Sequence, residues 1–238
     1  MDEFMRALRA REFSRLDAGG HVYLDYTGSG LYPESLVAAH AEFLRSSVLG
    51  NPHSRNPASR AATRQVEAAR ERVLRFFDAD PAEYELIFTL NATGALKLVG
   101  ESFPFTPRSR FALTADNHNS VNGIREFAAA HGAQVQYVPI GNDLRVADLE
   151  SHLAGADPSV PNLFAYPAQS NFSGVKHPLE WVSLARSLGY DVLLDAAAFV
   201  PTSRLSLREV KPDFMCVSFY KMFGYPTGVG ALVARREA

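Results

Sequence analysis

The 238-residue sequence predicts an α/β fold: a seven-stranded, mostly parallel sheet with an antiparallel last strand and helices on both faces. Three observations predict it. Seven short apolar runs read as strands at Leu86–Leu90, Arg110–Thr114, Gln134–Val138, Asn162–Tyr166, Asp191–Asp195, Phe214–Ser218 and Val229–Ala234. They are continuously apolar rather than alternating, as strands buried on both faces must be. The first six start 24, 24, 28, 29 and 23 residues apart, which leaves room for a crossover helix after each. Only ten residues, containing Gly224, Pro226 and Gly228, separate Ser218 from Val229. A parallel return needs roughly a dozen or more, so the seventh strand is expected to run antiparallel. The short loop then sits at the C-terminal edge of the parallel strands, where open α/β sheets bind ligands.

Ahead of the sheet the sequence predicts two helices. Pro33–Val48 has proline in its first turn, and Asn56-Pro57 caps a longer helix with Val66, Val73, Leu74 and Phe77 as its apolar stripe. Residues 1–79 therefore read as an N-terminal arm and 80–238 as the sheet domain. Between strands, Val121–His131 ends at Gly132, and Pro178–Leu188 has proline at its start and Gly189 past its end, the expected helix signals. No internal repeat or low-complexity segment interrupts the pattern.

Composition narrows the function. Twenty-four Lys plus Arg against 26 Asp plus Glu give a formal charge of −2, without the basic stripe of a nucleic-acid binder. Cys216, the single cysteine, excludes a disulfide framework within the chain and any multi-cysteine metal cage. The seven histidines show no HExxH or paired ligand spacing, so no metal site is read. No run approaches the ~18 apolar residues of a membrane span, and Met1-Asp2-Glu3-Phe4 lacks the order of a signal peptide. A soluble, cytoplasmic, enzyme-sized protein is expected.

Four groups fall just past strand ends. Asn91-Ala92-Thr93-Gly94 opens a helix, whose free N–H groups and dipole suit a phosphate; Thr93 as an ordinary N-cap is the alternative. His118 could stack on a flat heteroaromatic ligand or handle a proton, or simply cap a turn. Asp195 ends a buried strand and needs a cation or donors there: a protonated ring nitrogen, or the N–H groups of the next turn. Lys221, three residues after Ser218 in the glycine-bracketed loop, is either a salt-bridge lysine or an amine poised to form a Schiff base. Together they match the needs of pyridoxal phosphate: a phosphate anchor, a stacking group, an acid for the pyridinium nitrogen and an amine for the aldehyde.

Longer motifs carry a resemblance. Tyr23-Leu24-Asp25-Tyr26, Gly50-Asn51-Pro52-His53-Ser54, Ile87-Phe88-Thr89 through Ala95-Leu96-Lys97-Leu98-Val99, Tyr166-Pro167-Ala168-Gln169-Ser170-Asn171-Phe172-Ser173-Gly174, Leu194-Asp195-Ala196-Ala197, Ser218-Phe219-Tyr220-Lys221 and Gly228-Val229-Gly230 span nearly the whole chain. In these the chain resembles the class V aminotransferases of pyridoxal-phosphate fold type I, a group that includes the cysteine desulfurases. GNPHS, ALKLV and PAQSNFSG are most similar to the desulfurase-like N-terminal domain of molybdenum cofactor sulfurases. The resemblance implies that Lys221 bonds the cofactor and then serves as base and acid. It implies that Asp195 pairs with the ring nitrogen, His118 stacks on the ring and Asn171 lies near its phenolic oxygen. It also implies that Thr93 and Ser218, with backbone amides including that of Ala92, would hold the phosphate.

The resemblance further implies L-cysteine as substrate, a sulfur acceptor, release of alanine and a homodimer. Another class V activity (aminotransferase, lyase or epimerase) is the alternative. The chain departs from the pattern at Tyr220, where many relatives have histidine, and at Ala198, where desulfurases have glutamine. A C-terminal small domain with a sulfur-accepting cysteine is expected in the family and is not in this sequence. A catalytically incomplete fragment or pseudoenzyme that binds the cofactor without turnover is therefore a further expectation.

Overall fold

In a computed structural model, which describes residues 2–238, four helices precede the first strand; Met1, the first residue of the expected arm, lies outside the described residues. They are α1 (Glu3–Glu12), α2 (Ser14–Ala18), α3 (Glu34–Ser46) and α4 (Pro57–Phe76). The sequence reading placed only the last two. In α1 the Asp2 carboxylate caps the Phe4 amide, and its apolar side chains Phe4 and Met5 stay exposed, so no buried stripe announced the helix. In α4, Asn56 caps as expected, its side chain accepting from the Ser59 amide at 2.9 Å.

The sheet elements follow as β1 (Tyr84–Thr89), α5 (Ala92–Ser102), β2 (Arg110–Thr114), α6 (Asn119–Asn122), α7 (Ile124–Ala130), β3 (Gln134–Val138), α8 (Leu149–Leu153), β4 (Leu163–Pro167) and α9 (Trp181–Ser187). Then come β5 (Asp191–Asp195), α10 (Leu207–Val210), β6 (Phe214–Ser218), α11 (Phe219–Phe223) and β7 (Gly230–Arg235). The seven strands form one sheet in the order β1-β7-β6-β5-β4-β2-β3. Six run parallel, and β7 lies antiparallel between β1 and β6, as the ten-residue loop required.

Four strands match their apolar runs, and three shift for visible reasons. Strand β1 begins at Tyr84 because Tyr84 and Glu85 pair with Arg235 and Ala234 of β7. Asn162 drops out of β4 because its side chain ties loops together: its oxygen accepts from the Arg110 amide and its nitrogen donates to the carbonyls of Asp157, Val160 and Gly189. Pairing in β7 starts at Gly230, opposite both Thr89 and Ser218, one residue later than read. The expected helix 121–131 is two pieces, with α6 and α7 meeting at Gly123, a residue poorly suited to a helix interior. The expected helix 178–188 starts only at Trp181, since the Trp181 and Val182 amides bond three residues back, to Pro178 and Leu179.

Along the central strands both sheet faces are buried, which explains their unbroken apolar runs, while the edge strands β1 and β3 are partly exposed. One face packs Phe164, Val192, Leu194, Met215, Val217 and Val233 against Leu74 and Phe77 of the α4 end, Leu149 and Leu153 of α8 and Val182 of α9. The other packs Phe111, Leu113, Leu163, Leu193 and Leu232 against Leu96 and Val99 of α5 and Ile124 and Ala128 of α7. Among the described residues no helix is long and apolar enough to cross a membrane.

Candidate functional site

Every chemistry-bearing residue singled out above lines one cleft. Ala92, Thr93, His118, Asn171, Asp195, Ser218 and Lys221 meet there, joined by Asn91, Leu96, Ser120, Pro167, Gln169, Ala197, Ala198 and Tyr220. The cleft is at the C-terminal ends of β1, β2, β4, β5 and β6, where the parallel strands hand over to loops. A larger groove at the opposite sheet edge, around Val160, Tyr190, Phe214 and Leu232, gathers none of these groups.

At the α5 end, the cap is Asn91 and not Thr93. The Asn91 side chain accepts from the Gly94 amide at 2.9 Å, and the Ala92 amide donates to Ser218 Oγ at 2.9 Å. Thr93 sits one residue inside the helix, its hydroxyl 2.7 Å from Ser120 Oγ. Gly230 lets β7 pass close behind this turn: a Cβ there would lie 2.5 Å from Cα and C of Asn91. The start of an 11-residue helix, two hydroxyls and an uncrowded backbone form a cradle for an anion.

His118 caps α6, its Nδ1 accepting from the Ser120 amide at 3.2 Å and lying 2.9 Å from Ser120 Oγ. Capping and lining the cleft are thus the same placement. Ser120, which no sequence signal marked, links the His118 ring to Thr93. Asp195 is buried. Its Oδ1 accepts from the Ala197 amide at 3.0 Å and from Cys216 Sγ at 3.6 Å, while Oδ2 has no partner among the described residues. A carboxylate with one oxygen pinned and one free suits a cationic ring nitrogen.

Cys216 is sealed in the core beneath Asp195, where burial and then the Asp195 carboxylate push its thiol well above the ordinary range. It is a protonated hydrophobic side chain. Gln169 also lines the cleft, and its Oε1 is buried without a partner. It lies within the PAQSNFSG motif, where the sequence reading gave a role to Asn171 alone.

The chain has four lysines. Lys97 pairs with Glu101, Lys211 with Glu83, and Lys176 donates to Ser203. Among the described residues, Lys221 has neither an ion pair nor a hydrogen bond from its amine, so the salt-bridge alternative is not what the structure shows. Together the anion cradle, the imidazole, the half-free carboxylate and the unpaired amine fit pyridoxal phosphate in donor set and arrangement.

Residues 22–238 match the family model described as aminotransferase class-V. The molybdenum cofactor sulfurases of Bos taurus and Homo sapiens are 43% and 42% identical over 251 residues, covering 98% of this chain and 28% of each relative. Among solved structures, the apo cysteine desulfurase of Thermococcus onnurineus NA1 has a TM-score of 0.85 at 27% identity, over 98% of this chain and 57% of that one. Cysteine desulfurase CsdA from Escherichia coli gives 0.79 at 26% identity, over 98% and 58%. The chain thus spans under a third of the curated relatives' length.

Proposed function

This chain belongs to the class V aminotransferase family, and we propose that it is the cofactor-binding part of a pyridoxal-phosphate enzyme that takes sulfur from L-cysteine and leaves alanine. Within it, residues 80–238 would be the cofactor domain and 1–79 the arm. The observation that carries the reading is the convergence of Thr93, His118, Asp195, Ser218 and the unpaired Lys221 on one cleft. The cysteine-specific part draws its support from the sulfurase and desulfurase relatives.

When bound, the cofactor supplies an electron sink for the bonds at the amino acid's Cα. The protein's own residues do the rest. The α5 turn, Thr93 and Ser218 would hold the phosphate; the Asp195 carboxylate would keep the ring nitrogen protonated; His118 would stack on the ring; Asn171 and Gln169 would offer it polar groups. Lys221 would hold the cofactor's aldehyde carbon and, once freed, would move protons at the substrate Cα. Overall, the Cβ–S bond of cysteine breaks, the sulfur passes to an acceptor thiolate as a persulfide, and Cβ takes a proton. Cys216 cannot be that acceptor, being buried and held as a thiol. The acceptor is therefore a thiol from outside residues 1–238. Leu90 and Phe172, 73% and 83% exposed on loops at this edge, suit coverage by a second copy in a homodimer.

The test supplies purified protein with pyridoxal phosphate, L-cysteine and a small dithiol as acceptor, and measures alanine and sulfide. Stoichiometric alanine and sulfide support the reading. Amino transfer to a keto acid without sulfide would move the protein to another class V activity. Cofactor binding without any turnover would favour a binding-only role.

A further inference from the structure

We propose that His177, which does not line the cleft, is a positioning residue that holds His118 and Asn171 in register through a buried pair with Asp116; the inference rests on the cofactor reading above. His177 Nε2 lies 2.8 Å from Asp116 Oδ2, and the two side chains are 2% and 1% exposed. Asp116 stands two residues before His118, in the turn that leaves β2. The Asn117 side chain ties the same turn to the Thr114 and Ala165 carbonyls.

His177 closes another piece of the site. Its amide donates to Ala168 O at 3.1 Å, at the base of a hairpin-like excursion over residues 168–177. Inside it, the Ser170 amide donates to Val175 O, and Gln169 pairs with Lys176. That excursion carries Gln169 and Asn171 to the cleft. The His177 ring stacks on Trp181 at 5.0 Å and 24°, so its own position is fixed by α9. One buried bond thus joins the His118 turn to the Asn171 hairpin.

Charge makes the joint specific. Burial drives the Asp116 carboxyl up, but the His177 hydrogen bond, helped by the nearby Thr114 and Ser170 side chains, outweighs it and leaves it below its ordinary value. Its Oδ1 is buried without a partner, so few donors sustain the charge. Losing the His177 donor strands a buried carboxylate and unties the two loops.

The experiment compares wild type, H177Q, H177F and the double variant D116N/H177F of the whole chain. It measures the apo melting temperature, pyridoxal-phosphate affinity and the imidazole resonances of His118. The H177Q variant keeps an N–H donor and is expected within about threefold of wild-type affinity. In H177F, melting temperature and affinity both fall, affinity by about tenfold or more. The double variant removes the stranded charge, so stability recovers while affinity stays low and the His118 resonances stay shifted. If it instead recovers wild-type affinity and His118 resonances, or if H177F leaves both unchanged, the positioning role is overturned. Should H177F not fold, the double variant and H177Q decide alone. A wild-type chain that binds no cofactor would sink the cofactor reading, and the His118 resonances would still decide the role of His177.

Discussion

Asn91 shows how a single side chain sets the geometry of the site. Its backbone is extended, its side chain caps Gly94, and the cap fixes the start of α5, with Ala92 and Thr93, at the cleft. Asn91→Ala is expected to cost about 1 kcal/mol of stability and to weaken pyridoxal-phosphate binding, read by denaturant melts and cofactor titration. Unchanged affinity at reduced stability would mean that the turn does not hold the phosphate. Reading the sequence named Thr93 as the alternative cap because capping depends on which residue leaves helical φ/ψ, and NATG offers two capping residue types. His118, Asp195 and Lys221 were legible because each lies at, or a few residues past, the C-terminal end of an apolar strand. Ser120 and Gln169 were not: a serine in the first turn of a short helix and a glutamine in a loop carry no distinguishing spacing. Cys216 was legible as buried from FMCVS, but its contact with Asp195 arises from the pairing of β5 with β6.

At the level of elements, the arm and the lysine turn are built as one. The Gly30 amide donates to Tyr220 O at 3.1 Å, and Tyr225 OH lies 2.7 Å from His40 Nδ1 of α3. Gly224 ends α11 at a φ of 70°, with its Cα face against the backbone of Gly30, Leu31 and Tyr32. Gly224→Ala must adopt a left-handed conformation and push the arm away, so a loss well above 1 kcal/mol is expected. Cofactor affinity should fall with it, because Lys221 rides on the same turn. A variant with wild-type melting temperature and affinity would show that the arm does not brace the lysine. The strands were readable as unbroken apolar runs since the central ones are buried on both faces, and the antiparallel β7 followed from loop length alone. The arm's contact with the lysine turn was not readable, because it joins residues almost two hundred positions apart through backbone atoms.

For the molecule as a whole, the packing of the arm's own helices gives a pH signature. Glu12 of α1 accepts from the Ser35 amide of α3 at 2.9 Å and from Arg11 at 2.8 Å. The Ser35 backbone donor, followed by Arg11, lowers its carboxyl to about 2. The unfolded value is about 4.3, so the folded state is favoured above that pH and loses the contribution as pH falls toward 2. Denaturation midpoints measured from pH 6 to pH 2.5 should drop more steeply for wild type than for Glu12→Gln. Parallel curves would contradict the Glu12 link between α1 and α3.

The central claim is that this fold gathers a cofactor site around one free amine. Borohydride reduction of the pyridoxal-phosphate-loaded protein, followed by peptide mass mapping, tests it most directly. The account predicts the pyridoxyl group on Lys221 and its loss in Lys221→Ala. A label on Lys97, Lys176 or Lys211, or none on the loaded wild-type chain, would contradict it.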